Sequence, residues 1–186
     1  MSTLPNAPYH HGNLRQALLE AALRLLEQQG EAGLGLRDLA RAVGVSPAAP
    51  YRHFDSRAAL LEALAVTGFQ RFTARMQAVM ASAPDDPLAA MGKTYVVFAL
   101  QNPNLFRLMF SPQLKKDARP GLRMAADAAF DTLRQAVGGT ALDGRIRALA
   151  AWAKVHGLAV LLLDGQIAIR AGEDSEALVA EIIGSL

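Results

Sequence analysis

Leucine and alanine recur along almost the whole chain at three- and four-residue spacing, and valine, isoleucine and threonine nowhere alternate over the length of a strand. That period brings apolar side chains to one face of an α-helix and offers a β-sheet no face to bury. It predicts an all-α protein. A first helix is expected over residues 13–29, with Leu14, Leu18, Ala22 and Leu25 as its buried stripe, Asn13 as cap and Gln16 at the capping-box position. Gly30 ends it. A short helix over 36–43 turns Leu39, Ala40 and Val43 inward, and Gly44 breaks it. A third, of about seven residues, is expected from a Ser46 cap to Phe54. A fourth starts after Ser56 or Asp55 with the stripe Leu60, Leu64, Gly68, Phe72, Met76 and Val79. "SAPDDP" is the clearest punctuation, and its Asp85 and Asp86 read as solvated linker residues. Further helices are expected over 88–101, just after "NPN", and over 122–137, 144–163 and 175–183.

Composition narrows the function. The 186 residues suit one large domain or two small ones, and 52% hydrophobic against 19% charged residues supplies a real core. The absence of cysteine excludes disulfides and zinc–thiolate sites. The N-terminal segment lacks a signal peptide's basic head and apolar stretch. The longest uninterrupted apolar run, in "GLAVLLLDG", is far below the roughly 18 residues of a membrane span. A cytoplasmic protein without membrane contact is expected. A formal charge of +2 argues only weakly for a polyanionic partner. There is no Gly-rich phosphate loop, no HExxH and no GxSxG, so neither an enzyme nor a cofactor is expected. The His10–His11 pair has no acidic or cysteine partner at ligand spacing, which argues against metal.

Two short helices joined by "GVS" have the spacing of a helix-turn-helix, whose second helix presents its N-terminal residues to the DNA major groove. From Asn13 to Leu64 the order of motifs resembles the N-terminal domain of the TetR family of transcriptional regulators: "LRDLARAVGVS", "YRHF", then "SRAALLEAL". The resemblance implies a three-helix DNA-binding head over residues 1–56 and a helical ligand-binding and dimerisation body over 57–186. It implies DNA contacts from Arg37, Ser46, Pro47, Ala48, Ala49, Tyr51, Arg52, His53 and Arg57. Tyr51 and His53 can donate to phosphates, although Tyr51 also fits a half-buried aromatic and His53 a helix-end histidine. Pro47, Ala48 and Ala49 offer apolar contact, as with thymine methyls, and Arg52 a donor to guanine or phosphate. Arg57 matches the family's basic phosphate contact. A cation there sits unfavourably at the positive end of a helix dipole, so an anionic partner gives it a reason. Pro50 departs from the family's buried aliphatic residue. It fills the inward site but deletes the N–H that would bond to the Ser46 carbonyl. The arm of Tyr9, His10 and His11 is placed to lie along the DNA backbone.

In the body, "YVVFALQNPNLFRLMF" and "WAKVHGLAVLLLDG" resemble the TetR subgroup named for its Trp–His–Gly signature, here Trp152, His156 and Gly157. Apolar bulk with a few polar handles stands out at Tyr95, Phe98, Phe106, Met109, Phe110, Met124, Phe130, Trp152 and His156, most of it suited to ordinary core, and all of these but Phe130 are candidate pocket residues. The helix through Leu149, Trp152 and Val160 is apolar over too much of its circumference to face water. The resemblance then implies a two-fold dimer, with Leu149, Val160, Leu163, Leu178 and Ile182 as candidate interface residues. The expected partners are a palindromic double-stranded operator, a second copy of the chain and a small, largely apolar effector that releases a repressor. A DNA-binding dimer without an effector fits the same head; a helical carrier or enzyme leaves "YRHFDSR" unexplained.

Overall fold

The computed structural model describes residues 14–82, 84–114, 119–138, 141–170 and 172–184. The expected Asn13 cap and the Tyr9–His11 arm lie outside them. Eight α-helices form among the described residues: α1 (Leu14–Gln29), α2 (Leu36–Val43), α3 (Arg57–Ala81), α4 (Pro87–Gln101), α5 (Pro103–Met109), α6 (Pro120–Val137), α7 (Ala141–Leu163) and α8 (Ser175–Gly184). The chain is all-α, as its periodicity predicts. It forms two compact units, one ending at Leu64 and one beginning at Ala65, so the division falls inside α3.

In the first unit α1 packs on α2. It buries Leu18, Leu19, Ala21, Ala22, Leu23 and Leu26, whereas Leu14 and Leu25 of the expected stripe are only half-buried. Periodicity sets the spacing of a buried face, but the neighbours set its phase and width. Leu36, Leu39 and Ala40 of α2 are buried, and Val43 is half-buried. Gly44 then takes φ 74°, ψ 33°. Its N–H donates to the Arg41 carbonyl at 3.2 Å and Val45 N–H to the Ala40 carbonyl at 3.0 Å, a Schellman closure of α2. An added Cβ at Gly44 would meet nothing within 4 Å, so glycine is needed here for backbone conformation and not for space.

The third element departs from expectation. In place of a seven-residue α-helix capped by Ser46, residues 47–49 form a turn and Pro50–Arg52 a 3-10 helix without a side-chain cap. The bonds run three residues back, Ala49 N–H to Ser46 C=O at 2.9 Å, Arg52 to Ala49 at 3.2 Å and His53 to Pro50 at 3.0 Å, until Phe54 N–H, which reaches four back to the Pro50 carbonyl at 2.9 Å. Proline supplies the reason. An α-helix would need a Pro50 N–H on the Ser46 carbonyl; that donor does not exist, and Ala49 takes its place. Pro50 itself is buried, as is Phe54. Ser56 then caps α3, its Oγ accepting from Ala59 N–H at 3.1 Å. The α3 stripe is buried at Leu60, Leu64, Gly68, Phe72 and Met76 and half-buried at Val79.

In the second unit α4 packs on α7 and α8, and α6 on α7. Asp86 is no idle linker residue: its carboxylate accepts from Ala89 N–H at 2.9 Å and caps α4, with Pro87 in the first turn. Gly92 lets α8 and α7 close on α4. A Cβ there would stand 3.1 Å from Ile183 Cγ2 and 3.3 Å from Val155 Cγ1. Over Leu142–Leu163, α7 is long and apolar enough to cross a membrane by length and composition, unlike the short uninterrupted run within it, yet only 22% of its most apolar window is buried.

Gly44→Ala should cost about 1–2 kcal/mol, the penalty for placing a Cβ in the left-handed region. Chemical denaturation measures it, and an unchanged midpoint would remove this turn from the forces that hold the first unit.

Candidate functional site

In the first unit the expected DNA-contact residues fall into two groups. Ser46, Pro47, Ala48, Tyr51 and Arg52 face solvent on the short turn and 3-10 helix, and Arg37 faces it from the first turn of α2. Ala49 and His53 are half-buried. Tyr51 is 48% exposed, so its ring is not a core aromatic. The segment is anchored from beneath by Pro50 and Phe54, and the Arg15 guanidinium lies 5.5 Å over the Phe54 ring. The inward proline therefore leaves its neighbours free to present side chains outward.

Arg57 belongs to the second group. Its Nε donates to the Leu34 carbonyl at 2.9 Å and its Nη2 to the Glu31 carbonyl, while Nη1 lies 3.6 Å from the Glu31 carboxylate. The anionic partner that a cation in this first turn calls for is thus found within the chain.

The second unit holds a cavity of about 800 Å³. Phe69, Phe72 and Met76 of α3 form one wall, Met91 and Tyr95 of α4 another, and Phe130, Leu133 and Trp152 of α6 and α7 close it beside Phe110. Of the sequence candidates, Tyr95, Phe110 and Trp152 line it, and so does Phe130, which is not among them. Phe98, Phe106 and Met109 are buried outside its lining. Met124 is 72% exposed and borders only a shallow depression with Pro120 and Arg123, because the buried face of α6 runs through Leu122 and Ala129. His156 is half-buried and does not line the cavity. Phe69, Phe72, Met76, Met91 and Leu133 are lining residues that sequence reasoning missed. For the α3 residues the buried stripe was visible, but an inward side chain on a core wall and one on a cavity wall share the same period.

A polar cluster sits at and behind the aromatic part of the wall. Tyr95 Oη lies 2.7 Å from His156 Nδ1 and accepts from Trp152 Nε1–H at 3.1 Å. Rings pack it from several sides, Phe72 against Tyr95 at 5.2 Å and Phe110 against His156 at 4.7 Å between centroids. Burial pushes the Tyr95 phenol well above its ordinary pKa, and the Trp152 hydrogen bond offsets part of that rise. Tyr95 is thus a neutral hydroxyl at the cavity wall, able to share hydrogen bonds but not to carry charge. Arg145, Arg147 and Lys154 also border the cavity, with Asp86 and Asp127. Among the described residues, no group of three or more His, Cys, Asp or Glu could hold a metal ion.

Of the residues expected at a dimer interface, Leu149 is exposed, while Val160, Leu163, Leu178 and Ile182 are half-buried. Leu142, Ile146 and Leu161 are further exposed apolar residues on α7 that sequence reasoning did not single out.

Residues 18–64 match the family model of bacterial regulatory proteins of the tetR family, and residues 88–186 match that of the tetracyclin repressor-like C-terminal domain. No curated protein matches the chain. A solved structure of a protein with unknown function from Rhodococcus sp. RHA1 is 36% identical with a TM-score of 0.81, covering 97% of this chain and 96% of that one. The TetR family transcriptional regulator PfmR from Thermus thermophilus shares the fold at 20% identity and a TM-score of 0.63, over 90% of this chain and 94% of that one. So does AibR, solved in complex with isovaleryl coenzyme A and operator DNA, at 18% identity and a TM-score of 0.65, over 92% and 97%.

Tyr95 supports a pH prediction. A phenol whose folded pKa is raised above the unfolded value of about 10 contributes stability below that pH and loses it as pH rises toward the folded pKa. The wild type should therefore lose stability above about pH 10 more steeply than Tyr95→Phe. The variant should start about 1–3 kcal/mol lower at neutral pH, with His156 and Trp152 deprived of their partner. Parallel slopes in denaturant melts across that range would refute the assignment.

Proposed function

The chain belongs to the TetR family of bacterial regulatory proteins, and from that premise we propose that its hold on operator DNA is released by a small, largely apolar ligand seated in the cavity of the second unit. It is a DNA-binding transcriptional regulator and not an enzyme. The observation that carries the ligand reading is the aromatic-walled cavity of about 800 Å³ with a neutral hydroxyl, Tyr95, held at its wall by Trp152 and His156. A cavity of that size with aromatic walls, bordered by Tyr95 and by charged residues such as Arg145, Arg147 and Lys154, suits an organic molecule whose body is apolar and which carries a polar end. The signature Trp152, His156 and Gly157 supports placing the second unit in the Trp–His–Gly subgroup.

The protein acts as a cytoplasmic two-fold dimer. Along α7, Leu142, Ile146, Leu149, Ala153 and Val160 lie at intervals of three, four and seven residues and are exposed or half-buried. That seam is too apolar to be left to water and suits a second copy. An added Cβ at Gly157, on the same seam, meets nothing within the protomer. The dimer places two heads on half-sites about 34–36 Å apart or a multiple of that. Each head reads bases with the Pro47–Ala49 edge and Arg52 and grips phosphates with Tyr51 and His53. A ligand that favours another head separation lowers operator affinity by its differential binding to the two states, typically about 1–3 kcal/mol. Repression is the direction expected of such a release mechanism.

Fluorescence anisotropy on duplexes from the DNA flanking its own gene tests the head. The wild type should prefer one sequence over a scrambled duplex at moderate salt. Arg52→Ala should cost about 1–3 kcal/mol and relax that preference, whereas Tyr51→Ala should weaken all sequences alike. A thermal-shift screen tests the cavity: a true effector raises Tm and lowers operator affinity together. A wild type without sequence preference would sink the operator reading; a screen in which no compound does both would sink the ligand reading.

A further inference from the structure

We propose that Arg57 is a positioning residue which sets the DNA-reading face from inside the head and makes no contact with the DNA backbone itself. The family resemblance assigns this position to a phosphate. In this chain the guanidinium is already turned to protein. It donates through Nε to the Leu34 carbonyl at 2.9 Å and through Nη2 to the Glu31 carbonyl, and Nη1 stands 3.6 Å from the Glu31 carboxylate. A planar fork with fixed donor directions can span two carbonyls three residues apart, which a lysine ammonium on a flexible stem cannot reproduce.

The place of these carbonyls gives the clamp its purpose. Leu34 precedes Gly35, the N-cap of α2, which has φ −123°, ψ 151° and no side-chain cap hydrogen bond. The connection from α1 to α2 runs through Gly30, Gly33 and Gly35, residues that leave the backbone many conformations. Burial of Leu34 and Leu36 and the Leu34 N–H bond to the Glu31 carbonyl at 3.2 Å hold the start of α2, but no side-chain cap fixes its backbone there. Arg57 does so from the first turn of α3, which Ser56 caps. Arg37 sits in the α2 turn that follows, and the segment 46–52 continues from the far end of α2. Loss of the clamp lets both drift from the geometry that meets DNA.

The inference rests on the operator reading above, and its test separates the two failures. Operator affinity of the full chain is measured against salt for the wild type, Arg57→Ala and Arg57→Lys, at a temperature where all three are folded. A lost phosphate contact lowers the slope of log affinity against log salt by about 0.9 per head. The clamp predicts affinity about tenfold weaker in both variants, an unchanged slope and no rescue by lysine. A reduced slope restored by lysine would overturn it, as would affinity equal to the wild type in both variants. If the wild type itself binds no duplex, the operator reading fails. Amide hydrogen exchange then decides the clamp, which requires faster exchange at Leu36–Leu39 in Arg57→Lys and is overturned by unchanged rates.

Discussion

Every α-helix ends with backbone donors and acceptors that its own ladder cannot satisfy, and in a protein of short helices that shortage governs where each element starts and stops. The solutions here differ from end to end. Ser56 and Asp86 supply side-chain oxygens to the first turns of α3 and α4. Gly44 folds back to close α2 on its own carbonyls. Arg107 reaches the Leu163 carbonyl at 3.1 Å at the end of α7 while pairing with Asp164 at 2.6 Å, a cation placed at the negative end of a helix. Gly35 brings no side chain, and Arg57 secures the loop before it.

Pro50 brings the same shortage into the functional segment. Its missing N–H moves most of the hydrogen bonds from four-residue to three-residue spacing and shortens the regular helix to Pro50–Arg52. The ring goes inward without a desolvation cost, since it carries no donor to bury, and Phe54 is buried beside it in the chain. The outward residues Pro47, Ala48, Tyr51 and Arg52 are then displayed on a segment held by its buried side and by backbone bonds rather than by helix propensity.

The second unit solves a different problem. It gathers many aromatic rings, and among the described residues it buries no charge. Tyr95 at the cavity wall is joined to His156 behind it and to Trp152, so these buried polar atoms carry little penalty in an apolar setting. Part of this is legible in the sequence. Trp152 and His156 lie four apart on one helical face, which places them together, but their common partner Tyr95 is 57 and 61 residues away. Phe98, Phe106 and Met109 look as suited to a pocket as Phe110, and they are core because other helices cover them. Met124 has the composition of a lining residue and faces water.

By itself the sequence determined the all-α class, the bounds of α2 and the α3 stripe, and narrowed the α3 cap to Ser56 or Asp55, while the family resemblance implied the inward placement of Pro50. The first of these follow from local physics: a 3.6-residue period, the conformational freedom of Gly44, and an oxygen-bearing side chain just before the first turn of α3. Only the tertiary structure decided which face of α1 is buried, that the Ser46 segment is a turn and 3-10 helix, that Arg57 is engaged by Leu34 and Glu31, and which aromatic residues enclose space. Those outcomes depend on groups distant in sequence competing for the same donors and the same surface. A one-dimensional pattern fixes neighbours three and four residues apart, but it carries no distance between Arg57 and Leu34 or between Tyr95 and Trp152.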